Sequence, residues 1–370
     1  MKAYVLKEIG KLELDTVPSP EGNRKGIVGT DGRPSVMEEE CVVVRVRAAG
    51  ICGSDIPRIY KTGAYHHPLI PGHEFSGDIV HAGMFVPAGM VGQSVGVYPL
   101  IPCKQCAPCK KGMYEMCKNY NYLGSRCDGG FAQYVKVPYK NVIELPDEVT
   151  YEQAAMLEPV SVALHAIKEC GLNPLRNAPD KDITITVCGL GTIGILTMML
   201  LQCFGYRNIL CIGNKEFQKR KILELGIDEK NYADSKTDDV AAFIMDKTDG
   251  MGTNVFFECV GKNECVTLGL KTLSALGRLQ LVGNPASDML LSKDDYWKIL
   301  RNQLRITGTW NSSFTGDAND DWHIVLDLIA KKIIDPSKLI THRFDMDSLG
   351  KGFEMMRDRS EEFIKVMCLM

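Results

Sequence analysis

The sequence predicts an α/β protein whose second half is a doubly wound parallel sheet, and three observations carry that prediction. A β-branched run, Ile183-Thr-Ile-Thr-Val187, leads into Gly189-Leu-Gly191-Thr-Ile-Gly194 and then into an apolar helical stretch to Phe204. Further strand-like runs at 208–212, 254–257, 277–282 and 304–307 alternate with helical segments, the pattern of parallel strands joined by crossover helices. The first half differs: short strand-like runs there surround cysteines and histidine at metal-ligand spacing.

Residues 1–17 read as a strand, a turn at Gly10 and a second strand. Pro18 to Glu40, rich in glycine, proline and charge, reads as an exposed loop with a turn signal at Val28-Gly-Thr-Asp-Gly32. Cys41 to Ala48 is a strand that delivers Cys52 to the loop at its end. Cys52-Gly-Ser54-Asp55 and, further on, Gly72-His73-Glu74 supply a soft thiolate and an imidazole, a pair that suits zinc. Either residue alone would more often be a core side chain. Their company argues for the metal: Asp55 can orient the imidazole, Ser54 offers a hydroxyl for moving a proton, and Glu158 can be a third, hard ligand.

Arg58, Tyr60, Lys61 and Tyr65 follow closely. They read either as a solvated loop or as a wall of the substrate pocket whose cations would suit a phosphate. His66 and His67 read as surface residues. Cys103-x2-Cys106-x2-Cys109-x7-Cys117, broken by Pro102, Pro108 and Gly112, can close an all-sulfur tetrahedral zinc site. Such a site has no vacancy and is expected to be structural.

Gly124 to Pro138 carries a Gly-Gly turn and a strand from Phe131 to Val137. Tyr151 to Cys170 has helical spacing, interrupted at Glu158-Pro159. A carboxylate beside proline in an apolar stretch needs a partner. The readings are a solvated acid at a helix break or a metal ligand.

The glycine turn between strand and helix has a physical logic. Gly189 makes the turn, Gly191 admits a pyrophosphate, and Gly194 packs helix on strand. The helix start at Thr192 and Ile193 supplies unpaired N–H groups for that anion. The next strand ends in Gly213-Asn214-Lys215, with Lys219 and Arg220 one turn on. An acid that would bind the ribose hydroxyls of NAD is absent there, so the turn favours NADP(H); the alternative is that Glu216 does the acidic work. Val260, Val282 and Gly283 close two later strands, where ribose and nicotinamide are expected.

Composition excludes several classes. The 370 residues carry a net charge of −3, with 45% hydrophobic and 24% charged residues, so no nucleic-acid or anionic-membrane partner is expected. The stretch from Ile193 to Phe204 is too short to span a bilayer, and the first residues lack the apolar core of a secretion signal. A cytoplasmic protein is expected. There the fourteen cysteines read as metal ligands, five of them, and buried thiols rather than disulfides.

Gly72-His73-Glu74-x2-Gly77-x5-Gly83-x2-Val86 matches the signature of the zinc-containing medium-chain alcohol and polyol dehydrogenases, and the chain resembles that family nearly end to end. The likeness is greatest to sugar-alcohol-phosphate dehydrogenases of the galactitol-1-phosphate 5-dehydrogenase type. It is carried by Cys52-Gly-Ser-Asp-Ile-Pro-Arg-Ile-Tyr60, His73-Glu-Phe-Ser-Gly77, Gly124-Ser-Arg126 with Asp128-Gly-Gly-Phe131, and Glu158-Pro-Val-Ser-Val162.

The resemblance implies a GroES-like, mainly-β catalytic domain over 1–165 with its zinc lobe at 103–117. It also implies a Rossmann domain over 166–309 and a return segment, 310–370, that completes the first. Two zinc ions per chain follow: a catalytic one on Cys52, His73 and Glu158, and a structural one on the four cysteines. A secondary alcohol of a polyol or polyol phosphate would pass its proton to Ser54 and its hydride to NADP or NAD. Glu74 would hold a water at the metal or substitute as ligand. Arg58, Tyr60, Lys61 and Trp310 are placed beside the substrate. Ile56 and Pro57 stand where many relatives continue the proton relay with a histidine. A homodimer or homotetramer is expected. The alternatives are a zinc dehydrogenase of free polyols, threonine or butanediol, a zinc-free reductase of the same fold, and a non-enzymatic NADP(H)-binding redox sensor.

Overall fold

The computed structural model describes residues 1–20, 38–172 and 182–370, so the loop expected over 18–40 lies largely outside the described residues. These residues separate into two units, Met1–Glu158 with Ser313–Met370, and Pro159–Ser312. The first boundary thus falls at Glu158–Pro159 instead of 165–166, and the return begins at Ser313 instead of 310.

The first unit is built on a seven-stranded sheet. Its centre is the strand Cys41–Ile51, three residues longer than the sequence suggests, because Ala49 and Gly50 still pair with both neighbours and Ile51 with the last strand. On one side runs Glu74–Ala82, antiparallel, with Gly50 opposite Glu74. On the other side the last strand of the chain, Lys365–Leu369, is also antiparallel, with Val366 opposite Ile51. Valines 42, 44, 46, 95, 97, 135, 137 and 366 fill one buried cluster, as branched side chains do on a pleated surface. The predicted strand Phe131–Val137 begins only at Tyr134. Its first residues are held across the chain, Phe131 N–H to the Pro71 carbonyl at 3.0 Å.

The expected loop after Cys52 is instead a helical turn, Asp55–Pro57, that continues over Arg58–Thr62 in the wider π-type winding. The helix break near Glu158 lies at Met156, between Tyr151–Ala155 and Leu157–Glu169. Pro159 sits in the first turn of the second helix, where its missing N–H would have no partner in any case.

The second unit carries a six-stranded sheet, parallel at every pair. From edge to edge it runs Tyr232–Asp234, Ile209–Gly213, Ile185–Cys188, Thr253–Glu258, Leu273–Leu281, Arg305–Gly308. Numbered along the chain this is the order 3-2-1-4-5-6 of the dinucleotide-binding fold, whose ligand lies at the strand ends where the order reverses. Among the described residues no helix is long and apolar enough to cross a membrane.

Candidate active site and metal centres

Three strand ends of the first unit meet. Cys52 follows the end of Cys41–Ile51, His73 precedes the start of Glu74–Ala82, and Lys365 opens the last strand. Antiparallel pairing therefore brings residues 52, 73 and 74 together, although twenty residues separate them in sequence. Gly72 makes the turn into His73 with φ +101°, a conformation that favours glycine. Its carbonyl accepts the Gly130 N–H at 2.8 Å.

The Cys52 thiol, the His73 ring and the Glu74 carboxylate each place a donor atom within 4.8 Å of the others. His73 and Glu74 are buried and Cys52 partly so. Asp55 is fully buried below them, its Oδ1 3.4 Å from His73 Nδ1 and its Oδ2 accepting the Cys52 N–H at 3.0 Å. The His73 contact is close but not aligned as a hydrogen bond, so Nδ1 is a buried ring nitrogen without a partner. Burial opposes the Asp55 charge, yet His73, Arg58 and the Cys52 N–H hold its pKa below the usual carboxylate range. Ser54 donates to the Cys52 sulfur at 3.3 Å. One thiol, one imidazole and one carboxylate, converging in a buried pocket with an anion behind the imidazole, fit a zinc ion.

Glu158 does not belong to that tight group. It is buried and accepts the Tyr122 hydroxyl at 3.3 Å. Burial, opposed by His73 and reinforced by Glu74, pushes its carboxyl up to about 7. The sequence reading missed Lys365, whose ammonium is buried against the Glu74 carboxylate and donates to the Ile51 carbonyl at 3.1 Å. Burial works against that ammonium, but Glu74 and Cys52 outweigh it and raise its pKa. The signal was a lone lysine opening an otherwise apolar strand, every residue of which but the last is buried. Removing one partner of a buried ion pair strands the other, at a cost of about 3–5 kcal/mol. Lys365→Met should therefore lower the urea midpoint clearly, and Lys365→Met with Glu74→Gln should recover part of the loss. An unchanged midpoint in the single variant would show that the pair contributes nothing.

The residues proposed for substrate are dispersed. Arg58 is engaged by Asp55, Nη1 to Oδ1 at 2.7 Å, and is thus committed to the metal surroundings before it could meet a phosphate. The Tyr60 ring lies under the Arg357 guanidinium at 4.9 Å. Lys61 is exposed, and Trp310, in the second unit, is half exposed.

The four thiols of the lobe do converge. Sulfur separations are 3.5 Å for Cys106–Cys109, 3.9 Å for Cys106–Cys117 and 4.0 Å for Cys103–Cys109. Four sulfurs at 2.3 Å from a tetrahedral centre lie about 3.8 Å apart, so the cage has zinc dimensions. The Cys103 N–H donates to the Cys117 sulfur at 3.3 Å. N–H groups of Cys109 and Lys118 draw the Cys106 thiol down to about 6, while burial raises Cys109 and Cys117. All fourteen cysteines are unpaired by disulfides.

In the second unit Gly189 has φ +99° and makes the turn after Ile185–Cys188. A side chain at Gly194 would strike the Gly189 carbonyl, whereas at Gly191 it would meet open space. The three glycines thus divide into turn, open approach and close packing, which fits a dinucleotide phosphate at the start of helix Thr192–Cys203. Val260 lies against Gly189, and Gly283 is folded against Gly261, whose N–H and that of Val260 are both held by the Glu258 carboxylate at 2.8 Å. Val282 adjoins them, its N–H given to the Glu258 carbonyl at 2.9 Å. At the end of Ile209–Gly213, Asn214 and Lys215 are exposed. Lys219, expected to attract a phosphate, is instead ion-paired with Glu229 at 2.7 Å.

Comparison with known proteins agrees with this geometry. Residues 38–147 match the alcohol dehydrogenase GroES-like domain and residues 192–331 the zinc-binding dehydrogenase domain. The galactitol 1-phosphate 5-dehydrogenase of Escherichia coli K12 is 30% identical over 320 residues, covering 86% of this chain and 90% of that protein. The sorbitol dehydrogenase of Bacillus subtilis is 26% identical over 373 residues, covering 99% and 96%. The crystal structure of galactitol-1-phosphate dehydrogenase from Escherichia coli superposes with a TM-score of 0.86 at 27% identity, over 100% of both chains. A buried thiol–imidazole–carboxylate group, a four-sulfur cage and a dinucleotide turn thus occur in a chain that belongs to the zinc-binding alcohol and polyol dehydrogenase family, whose members are NAD(P)-linked oxidoreductases.

Proposed function

We propose that this enzyme oxidises a secondary alcohol of a polyol or polyol phosphate, reversibly, with NADP(H) as the preferred cofactor. The observation that carries the reading is the convergence of Cys52, His73 and the buried Glu74 at two paired strand ends, backed by Asp55. Zinc held there would supply a Lewis acid that lowers the pKa of a bound alcohol. Glu74 already has a cation in Lys365. Glu158 has no ion pair among the described residues and is costly to keep charged while buried. The charge balance therefore favours Glu158 as the third ligand beside Cys52 and His73, with Glu74 as the acid that can replace it. Ser54, against the Cys52 sulfur, receives the alcohol proton. Its route beyond Ser54 does not continue through residues 56 and 57, which are isoleucine and proline. Gly189, Gly191 and Gly194 shape the cofactor phosphate site, and Gly213, Asn214 and Lys215 form the end that meets the ribose.

Self-association into a homodimer or homotetramer is part of the same reading, supported by the exposed edge strand Arg305–Gly308 and by the exposed Leu276 and Ile306. So is a cytosolic location, where the four lobe thiols stay reduced. The test is a panel of hexitols, hexitol phosphates, threonine and 2,3-butanediol, each with NADP and with NAD. Oxidation of a polyol or its phosphate, at a kcat/KM roughly tenfold or more higher with NADP, is expected. A charge-assisted contact to the 2′-phosphate is worth about that much. Exclusive oxidation of threonine or butanediol would overturn the substrate assignment, and an NAD preference would return the ribose to Glu216.

A further inference from the structure

One cation of the first unit has no anion among the described residues. Arg126 is 9% exposed, and among the described residues no carboxylate lies within ion-pair distance of it. Its guanidinium is instead sandwiched between two tyrosines, 4.0 Å from the Tyr65 ring and 4.3 Å from the Tyr120 ring. Nη2 donates to both hydroxyls, at 2.9 and 3.3 Å. These contacts fix the plane of the guanidinium but do not neutralise it. Burying an unpaired charge is costly, and cation–π contact recovers only part of the loss. Among the described residues Nε and Nη1 have no acceptor, yet neither is sealed from solvent. A planar guanidinium with two donors unused among the described residues matches the oxygens of a phosphate monoester.

The position of Arg126 relative to the zinc group gives the phosphate a source. Tyr120 packs edge-on against Tyr122 with centroids 6.1 Å apart, and Tyr122 packs against His73 at 5.8 Å. Tyr122 also donates to Glu158. Arg126 thus stands two rings from the ligand imidazole along one continuous aromatic wall. By contrast Arg58 is held by Asp55.

We infer that Arg126, held between Tyr65 and Tyr120, binds the phosphate of a phosphorylated polyol and makes the enzyme prefer that substrate to the free polyol. This rests on the dehydrogenase reading of the zinc site. The test compares a hexitol 1-phosphate with the same free hexitol, in the zinc-loaded wild type, Arg126→Met and Arg126→Lys. Inorganic phosphate binding is measured alongside by calorimetry. Loss of the fork should lower the phosphorylated-to-free ratio of kcat/KM on the order of 10- to 100-fold, chiefly through KM. Arg126→Met should weaken phosphate binding at least about tenfold by the same contact, and Arg126→Lys should recover part of both. A merely structural Arg126 would lower both substrates together and leave the ratio and phosphate binding unmoved, which would overturn the inference. A wild type that prefers the free hexitol would overturn it too. If no hexitol reacts at all, the dehydrogenase reading of the substrate fails, while equal phosphate binding by wild type and Arg126→Met would separately refute the anchor.

Discussion

Cys52→Ser is expected to remove dehydrogenase activity by at least about three orders of magnitude and to take zinc from two ions per chain to one. The size follows from what the sulfur does. Changes to groups that only orient a metal ligand already cost about 10–100-fold in affinity or activity, and Cys52 is proposed as a ligand itself. Serine keeps the shape but not the thiolate, which is the soft donor zinc prefers. The fold should survive. Cys52 lies just past the end of its strand, and the hydrogen bond its sulfur accepts from the Ser54 hydroxyl is one a serine oxygen can also accept. The Asp55 bond to the Cys52 N–H is a backbone contact that the substitution leaves in place. Zinc analysis, hydride-transfer rate and far-ultraviolet circular dichroism on one preparation decide it. A variant with one zinc and the full rate would show that chemistry does not use this site. A variant that fails to fold would show that the residue is structural.

How far the site could be read from the sequence depends on whether its residues announce themselves by local spacing. The four lobe cysteines and the three glycines do, because a loop of fewer than twenty residues closes each site, and the structure brings both sets together as the spacing required. Cys52 and His73 lie farther apart, but each adjoins a strand end, so antiparallel pairing was enough to join them. Lys365 could not be placed that way, since it arrives from the far end of the chain and meets Glu74 only through sheet order. Arg58 and Lys219 show a related limit of the sequence. Both are cations near the right place in sequence, yet each already has an acid, Asp55 and Glu229, within 2.7 Å. Sequence shows where a charge is, but not whether another charge has claimed it. Arg126 is the converse case, a cation without an acid among the described residues, which is visible only in three dimensions. The short strand Tyr232–Asp234 escaped notice because three residues carry no periodicity, and its place at the sheet edge is set by pairing with Ile209–Gly213.

Cys106→Ser should do the opposite of Cys52→Ser: it should cost the fold of the lobe before it costs chemistry. Between Cys103 and Cys117 the chain forms only two single 3₁₀ turns, Cys109–Lys111 and Tyr114–Met116. The buried cluster there consists of three cysteines with Cys106, Tyr114 and Tyr120 packed on them. Met113 and Met116 point outward, 46% and 50% exposed. So small an apolar core cannot offset the entropy of ordering the segment, which costs about 1–2 kcal/mol per residue for the backbone. Structural zinc in a cysteine site supplies on the order of 10–16 kcal/mol at neutral pH, the same scale as the whole stability of a domain. Loss of one thiolate should therefore release the ion and the segment together. The expected result is a low soluble yield, one zinc per chain, and rapid proteolytic cutting at Lys104, Lys110 or Lys111, where the wild type resists. Chelation of the wild type should open the same bonds, and added zinc should close them again. A Cys106→Ser protein that keeps its unfolding midpoint and a protease-resistant lobe with one zinc would mean that chain packing, not the ion, holds this segment.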